Sequence, residues 1–321
     1  MTGLVQTGRA RSARLVAHGE PLVVDDVDLA DPAEGEVVLT MRYAGINPVD
    51  RYAMLGRVAP DGPIPRTLGT EGLGTVGDRT VVVHGAGLGT ARDGLWATAA
   101  VVPAATMVDV PAGVDPVVAA TVGVAGVTAR RAVADLGRVT ADDRVLVLGA
   151  SGGVGSMAVS MAAAAGAEVW GQTGSASKAE WLEGQGARRV VVADAPELAD
   201  RVGDYRPTVV IDPLGGGFTG AAITAMAPRG RLVIFGTSAG TEGEVPLQQL
   251  YRKGLTVLGY AGLMEPIERI NQGIADVLAD LAGGVFTAPV DDVVPLGRVN
   301  EALDRLTDRS LRGKVVLDLQ A

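Results

Sequence analysis

Six residues in the middle of the chain, Ala150-Ser151-Gly152-Gly153-Val154-Gly155, follow the apolar run RVLVLG and lead into the helix-forming segment SMAVSMAAAAG. Apolar strand, glycine-dense turn and helix is an arrangement that grips a pyrophosphate. The turn lets the backbone come close, and the helix N-terminus presents free N–H groups and the positive end of its dipole. The six residues fit G-x-G-x-x-G with alanine in the first place, so Gly152, Gly153, Val154 and Gly155, with Ser151 beside them, are the expected pyrophosphate contacts. A plain tight strand-to-helix turn is the competing reading, and the strand–helix alternation that follows the turn weighs against it.

The next strand tests which dinucleotide fits. An NAD site sets an acid about 20 residues on, where it holds the ribose 2′-hydroxyl. Here the segment reads VWGQTGSASK, with no carboxylate at Gln172, Thr173 or Gly174 and with Lys178 following. An uncharged strand end formed by Thr173, Gly174 and Ser175, with a lysine beside it, suits a 2′-phosphate and predicts NADPH; for Lys178 alone, a solvated helix lysine is the alternative. The glycines also fit Gly149-x-x-x-Gly153-x-Gly155, the spacing of short-chain dehydrogenases. Those enzymes need a Tyr-x-x-x-Lys pair. None of Tyr43, Tyr52, Tyr205, Tyr251 and Tyr260 has lysine four residues later, and the turn lies behind a β-rich lobe, so that reading is set aside.

The elements that must position these residues fall into two textures. Residues 1 to about 100 read as short strands such as GEVVLTMRYAGI and GDRTVVVHGAG, separated by Pro/Gly/Asp punctuation. DPVVAATVGVAGVTARRAVADLG then has helical spacing and ends at Gly137. From RVLVLG to GRLVIFGTS, buried strands alternate with helices, which predicts a doubly wound parallel sheet. Near residue 255 the alternation becomes unclear. The remaining segments, including LGRVNEALDRLTDRS with Val299, Ala302, Leu303 and Leu306 on one helical face, are expected to return to the first lobe.

Composition removes other chemistry. The 321 residues carry a net charge of −9 and no dense Lys/Arg cluster, which argues against a nucleic-acid partner. There are no cysteines and only two histidines, His18 and His84, so disulfides, cysteine nucleophiles, thiolate zinc sites and His-rich metal sites have no ligands. The opening MTGLVQTGRARSARLV lacks an apolar signal core, and no apolar run is long enough to span a bilayer. A cytoplasmic protein is expected.

Taken in order, AHGEP, YAGINPVDRYAMLGR, PIPRTLGTEGLGTVG, DGLWATAAVVPA, GVAGVTAR, GASGGVGSMAVSMA, LVIFGTS and RSLRGKVVL resemble the zinc-independent medium-chain dehydrogenases/reductases of the quinone oxidoreductase and enoyl reductase type. The match runs end to end. It implies an α/β chain with a GroES-like, mostly-β catalytic domain over residues 1–124 and 261–321, and a Rossmann dinucleotide-binding domain over 125–260. It also implies a homodimer and hydride transfer from NADPH to a small-molecule quinone or to a C=C bond conjugated to a carbonyl. A zinc-free carbonyl reductase and a non-catalytic NADPH-binding protein are the alternatives. Zinc-dependent relatives place Cys-His and His-Glu where this chain has Asn47-Pro48 and Thr70-Glu71. By resemblance, Thr128 and the turn Phe235-Gly236-Thr237 line the nicotinamide, sheet core being the other reading for Phe235. Arg312 and Lys314 stand either near the cofactor or at a solvated strand end. Asn47, with a fixed amide, and Tyr52, with a hydroxyl, are the substrate-side choices, and a pocket wall without a proton role is the other reading for Tyr52. Asp50 is read as a helix-start cap, His84 as structural, and Trp96 and Tyr260 as apolar walls. Residues 190–194 lack the tyrosine that many NADPH-using relatives set against the adenosine phosphate.

Overall fold

The computed structural model describes residues 8–308 and 310–321. The first seven residues of the N-terminal stretch judged leaderless, and Arg309 of RSLRGKVVL, lie outside the described residues. The first lobe contains β1 (Arg9–Leu15), β2 (Val23–Asp28), β3 (Glu36–Gly45), α1 (Pro48–Met54), β4 (Arg66–Thr67), β5 (Glu71–Val76), β6 (Arg79–His84), β7 (Ala99–Pro103) and β8 (Met107–Asp109). In β3 the side chains of Leu39 and Met41 point to one face and are fully buried, as a period of two requires. The β5–β6 hairpin closes across Gly77-Asp78, with Val76 opposite Arg79. Gly77 takes a left-handed φ of 56° there, which glycine reaches without strain.

A helical run joins this lobe to the next. It comprises α2 (Pro116–Ala119), a π-helical turn Val122–Gly126, α3 (Val127–Arg130) and a second π-helical turn Arg131–Leu136. The sequence predicts one helix ending at Gly137. The end agrees, but the run is widened twice.

The alternating region follows as β9 (Arg144–Val147), α4 (Gly153–Ala164), β10 (Glu168–Thr173), α5 (Ala179–Gly184), β11 (Arg189–Val192), α6 (Ala195–Val202), β12 (Val209–Asp212), α7 (Gly216–Ala225), β13 (Arg231–Ile234), α8 (Leu247–Lys253) and β14 (Thr256–Gly259). Its six strands are all parallel, in the order β11-β10-β9-β12-β13-β14. Val145, Val147, Val209, Ile211 and Val233 are fully buried, the apolar content of a sheet covered on both faces. β14 continues the alternation as its last strand, although the sequence near residue 255 marks it poorly. The strand order reverses beside β9, so the glycine turn after β9 opens at a topological switch point, where such sheets bind ligands.

The chain closes with α9 (Ile267–Ala282), β15 (Val290–Pro295), α10 (Val299–Asp304) and β16 (Lys314–Asp318). β15 and β16 enter the sheet of the first lobe, in the order β15-β16-β3-β5-β6-β8, with β7 also pairing β3. α9 buries Ile270, Ile274 and Val277 at helical spacing. It lies against the helical run: a Cβ on Gly126 would be 3.0 Å from Val277. Among the described residues no helix is long and apolar enough to cross a membrane.

Candidate active site

Each glycine of the turn has its own reason. Gly149 has a left-handed φ of 54°. A Cβ on Gly155 would lie 2.3 Å from Gly149 O and 2.8 Å from Ala150 Cα, so only glycine lets α4 start this close to β9. A Cβ on Gly153 would lie 2.5 Å from Lys314 Cδ. Gly152 is the N-cap, and the first-turn N–H groups at Gly153, Val154 and Gly155 have no acceptor within the helix. Gln172, where an NAD site would set its acid, is buried and tied to the backbone. Its Oε1 accepts from Gly149 N–H (2.9 Å), and its Nε2 donates to Ala193 O (2.7 Å).

The adjoining strand end is cationic. Lys178 is buried and donates from Nζ to Ser151 Oγ (3.1 Å), and Arg312 donates to Ser177 O (2.9 Å). Burial, then the Arg312 charge, holds Lys178 below the ordinary lysine value; Asp308 and Asp291 act the other way. Asp291 is itself paired with Arg305. Gly174 is exposed, Ser175 half-buried and Thr173 buried; Ser175 and Ser177 share a hydroxyl hydrogen bond of 2.9 Å. The structure therefore sets Ser151, Ser175, Lys178 and Arg312 next to one another through these contacts and does not leave Lys178 as a solvated helix lysine.

On the opposite side of the turn lies a buried polar cluster. Lys314 Nζ donates to Ile46 O (2.8 Å), Asn47 Oδ1 (2.6 Å) and Glu71 Oε1 (2.9 Å). Asn47 Nδ2 donates to the same Glu71 oxygen (2.7 Å), and Glu71 Oε2 accepts from Val124 N–H (2.7 Å), which the first π-helical turn presents. Asn47 is 2% exposed, and these contacts use its amide oxygen and one of its two amide N–H groups. Asp50 caps α1, accepting from Asn47 N–H (2.8 Å) and Thr70 N–H (3.0 Å). Burial pushes its pKa up to about 7, against the pull of those hydrogen bonds and of Lys314. His84 donates from Nδ1 to Thr70 O (2.7 Å), and burial holds its pKa below the ordinary histidine value. Tyr52 is half-buried in α1, two residues after Asp50.

Sequence reasoning noted Glu71 only as a zinc-ligand position of relatives and Lys314 only as a neighbour of the cofactor. The signal was present: a glutamate and a lysine of opposite sign, each heading a largely apolar strand, rarely bury unless paired. Among the described residues no three His, Cys, Asp or Glu side chains gather to hold a metal ion.

After β13, Phe235 packs partly buried on the parallel-sheet core, and Gly236 leaves no room for a side chain, a Cβ there lying 2.5 Å from Pro213 O. Asp212, which sequence reasoning passed over, braces the adjoining loop between β12 and α7 by accepting from Leu214 N–H, Gly215 N–H and Thr219 Oγ1. Thr128 is half-buried on α3. Trp96 is fully buried with its Nε1 on Gly45 O (3.3 Å), so it supports the site from beneath. Tyr260 lines a recess of about 330 Å³ with Arg131, Glu265 and Arg269, and burial and the Glu265 charge push its pKa up to about 12.

Comparison with known proteins agrees with this geometry. Residues 153–279 match the family model described as zinc-binding dehydrogenase. The chain is 28% identical to prostaglandin reductase-3 of Bos taurus over 314 residues, covering 90% of this chain and 82% of that protein. It is 28% identical to quinone oxidoreductase 1 of Escherichia coli over 325 residues, covering 94% of this chain and 97% of that protein. Among solved structures, the quinone oxidoreductase from Thermus thermophilus, described also in complex with NADPH, superposes with a TM-score of 0.84 at 27% identity, over 96% of this chain and 100% of the other. A β-rich lobe closed by β16, a switch-point glycine turn and relatives aligned along nearly the whole length point one way: the chain is similar to the medium-chain dehydrogenases/reductases, quinone oxidoreductases among them, which supports an oxidoreductase.

Proposed function

We propose that this chain is an NADPH-dependent reductase that passes a hydride to a quinone or to a C=C bond conjugated to a carbonyl, without zinc. The observation that carries the reading is the surface beside Ser151, where Lys178 and Arg312 stand close by and the amide of Gln172, at the position of an NAD site's acid, is tied to the backbone rather than free for a ribose. A 2′-phosphate meets two cations there, and charge-assisted contacts of that kind are the strong ones. Gly152, Gly153, Val154 and Gly155 would hold the pyrophosphate, Thr173, Gly174, Ser175 and Lys178 the 2′-phosphate, and Thr128 with Phe235-Gly236-Thr237 the nicotinamide end. When bound, NADPH supplies the hydride and leaves as NADP⁺.

Reducing a conjugated acceptor needs a donor for the oxygen that becomes negative, and Tyr52 is our choice for that proton. Asn47 acts mainly by fixing the start of α1, because its amide is held by Lys314 and Glu71. Zinc has no place in the scheme: Glu71 is spent on Lys314, Asn47 and Val124, and His84 on Thr70. The division that goes with this reading is 1–124 with 261–321 for the catalytic domain and 125–260 for the cofactor domain. We infer a cytoplasmic homodimer, joined where β14 ends the parallel sheet.

Titrating NADPH and NADH side by side tests the cofactor. NADPH should bind at least about tenfold more tightly, and Lys178→Ala should remove most of that difference while leaving NADH nearly unchanged. Equal affinities in the unaltered chain would sink the assignment. A panel of quinones, enones and enoyl thioesters, followed by NADPH absorbance, tests the chemistry. Tight NADPH binding with no acceptor-dependent oxidation would favour the non-catalytic binder, and turnover confined to isolated ketones the carbonyl reductase.

A further inference from the structure

We propose that Lys314 is a positioning residue that couples occupancy of the glycine turn to the seating of α1, so that cofactor binding sets the substrate side of the cleft. The inference rests on the NADPH reading above. Two groups of contacts at one residue carry it. Its backbone neighbour and its stem belong to the turn. Gly313 N–H donates to Ser151 O (2.9 Å), Gly313 and Gly152 run side by side as a parallel bridge, and the Lys314 methylenes fill the space where a Cβ on Gly153 would fall. The ammonium belongs to the other lobe. It places its three N–H groups on Ile46 O and Asn47 Oδ1, at the residues that lead into and cap α1, and on Glu71 Oε1 at the start of β5. Glu71 carries the link one step further, to Val124 N–H in the helical run that bears Thr128.

The Lys314 and Glu71 side chains are 3% and 0% exposed, so water cannot replace either partner during small movements. A shift of Gly153 pushes the Lys314 stem, and the ammonium follows only by pulling Asn47 and Glu71 with it, because charge-assisted bonds in a dry interior are short and directional. Adhesion alone would not need these charges. Apolar side chains of similar volume hold buried surfaces at least as well as a buried ion pair does. What the pair adds is a defined direction between turn and helix. Binding is reciprocal: if NADPH orders α1, an ordered α1 tightens NADPH by the same factor.

The test uses the full chain and the double variant Lys314→Met/Glu71→Gln, which removes both charges together and so avoids stranding one of them; Lys314→Met alone is the companion. Hydrogen exchange is followed at residues 46–54 and 150–156 with and without saturating NADPH, and NADPH affinity is measured on the same samples by fluorescence. In the unaltered chain NADPH should slow exchange at both segments, by about fivefold or more at 46–54. In the double variant the slowing at 150–156 should persist, that at 46–54 should vanish, and NADPH should bind about fivefold or more weakly. Equal slowing at 46–54 in the double variant overturns the coupling and leaves Lys314 as a structural brace. So does an unaltered chain that binds NADPH without any change at 46–54. A chain that binds no NADPH removes the cofactor reading and the coupling with it, and the titration separates that failure from the other two.

Discussion

Asp50 heads α1 with both carboxyl oxygens accepting backbone N–H groups, yet burial pushes its pKa up to about 7 from an ordinary value of 3.8. Between those two values the folded chain keeps the proton and the unfolded chain has released it. The folded state then binds more protons, so this group's contribution to stability is complete below about pH 4, falls as the pH rises, and is gone above about pH 7. Melting temperatures measured across that window should fall less steeply for Asp50→Asn than for the unaltered chain, and parallel profiles would contradict the assignment. The cap at Asp50 was legible from its place at the start of a helix. The elevated pKa was not, because it depends on burial in the folded chain and on the charge of Glu71, which together outweigh the opposing pull of Thr70 and Lys314, and these groups arrive from distant parts of the chain. The same holds for Lys178: its identity pointed to a phosphate, while its hydrogen bond to Ser151 needed the fold.

The turn between β9 and α4 was legible because strand, glycines and helix are contiguous and their spacing is dictated by close packing. The Gly155 position sets the tightest constraint, a Cβ there meeting backbone atoms of Gly149 and Ala150 that cannot swing aside. Gly155→Ala should lower stability by about 1–3 kcal/mol despite alanine's better helix propensity, and weaken NADPH binding by about tenfold, since α4 must back away from the pyrophosphate site. Denaturant melts and a cofactor titration check both effects, and a stabilised variant with unchanged affinity would refute the packing argument. The π-helical turns were not legible. The period of DPVVAATVGVAGVTARRAVADLG reads as a single helix, and the widening at Val122–Gly126 accompanies close packing by other elements, a Cβ on Gly123 lying 2.8 Å from His84 Cβ. β14 was obscure for another reason: as an edge strand it keeps Thr256 and Val257 exposed and lacks the continuous apolar run of its neighbours.

At the scale of the molecule, two architectures were readable from texture alone, short punctuated strands and then strand–helix alternation. What texture does not encode is pairing across the chain, such as β16 seated between β15 and β3. The parallel sheet ends at β14 with a free edge, and Leu247, Tyr251, Val257 and Met264 are exposed near it in the chain. An isologous partner would pair that edge antiparallel to itself and cover these side chains. Val257→Lys combined with Tyr251→Lys should convert a dimer into a monomer in light-scattering measurements, and a monomeric unaltered chain would dispose of the dimer. The placement of β16 also bears on how the protein is made. Residues 314–318 supply an inner strand of the first lobe's sheet, so during synthesis that sheet stays unfinished, with the Tyr43–Gly45 end of β3 and the facing side of β15 unpaired, until residue 318 has left the ribosome. The parallel sheet, whose strands are complete by Gly259, can close earlier, so the middle of the chain is free to fold before the lobe that begins it.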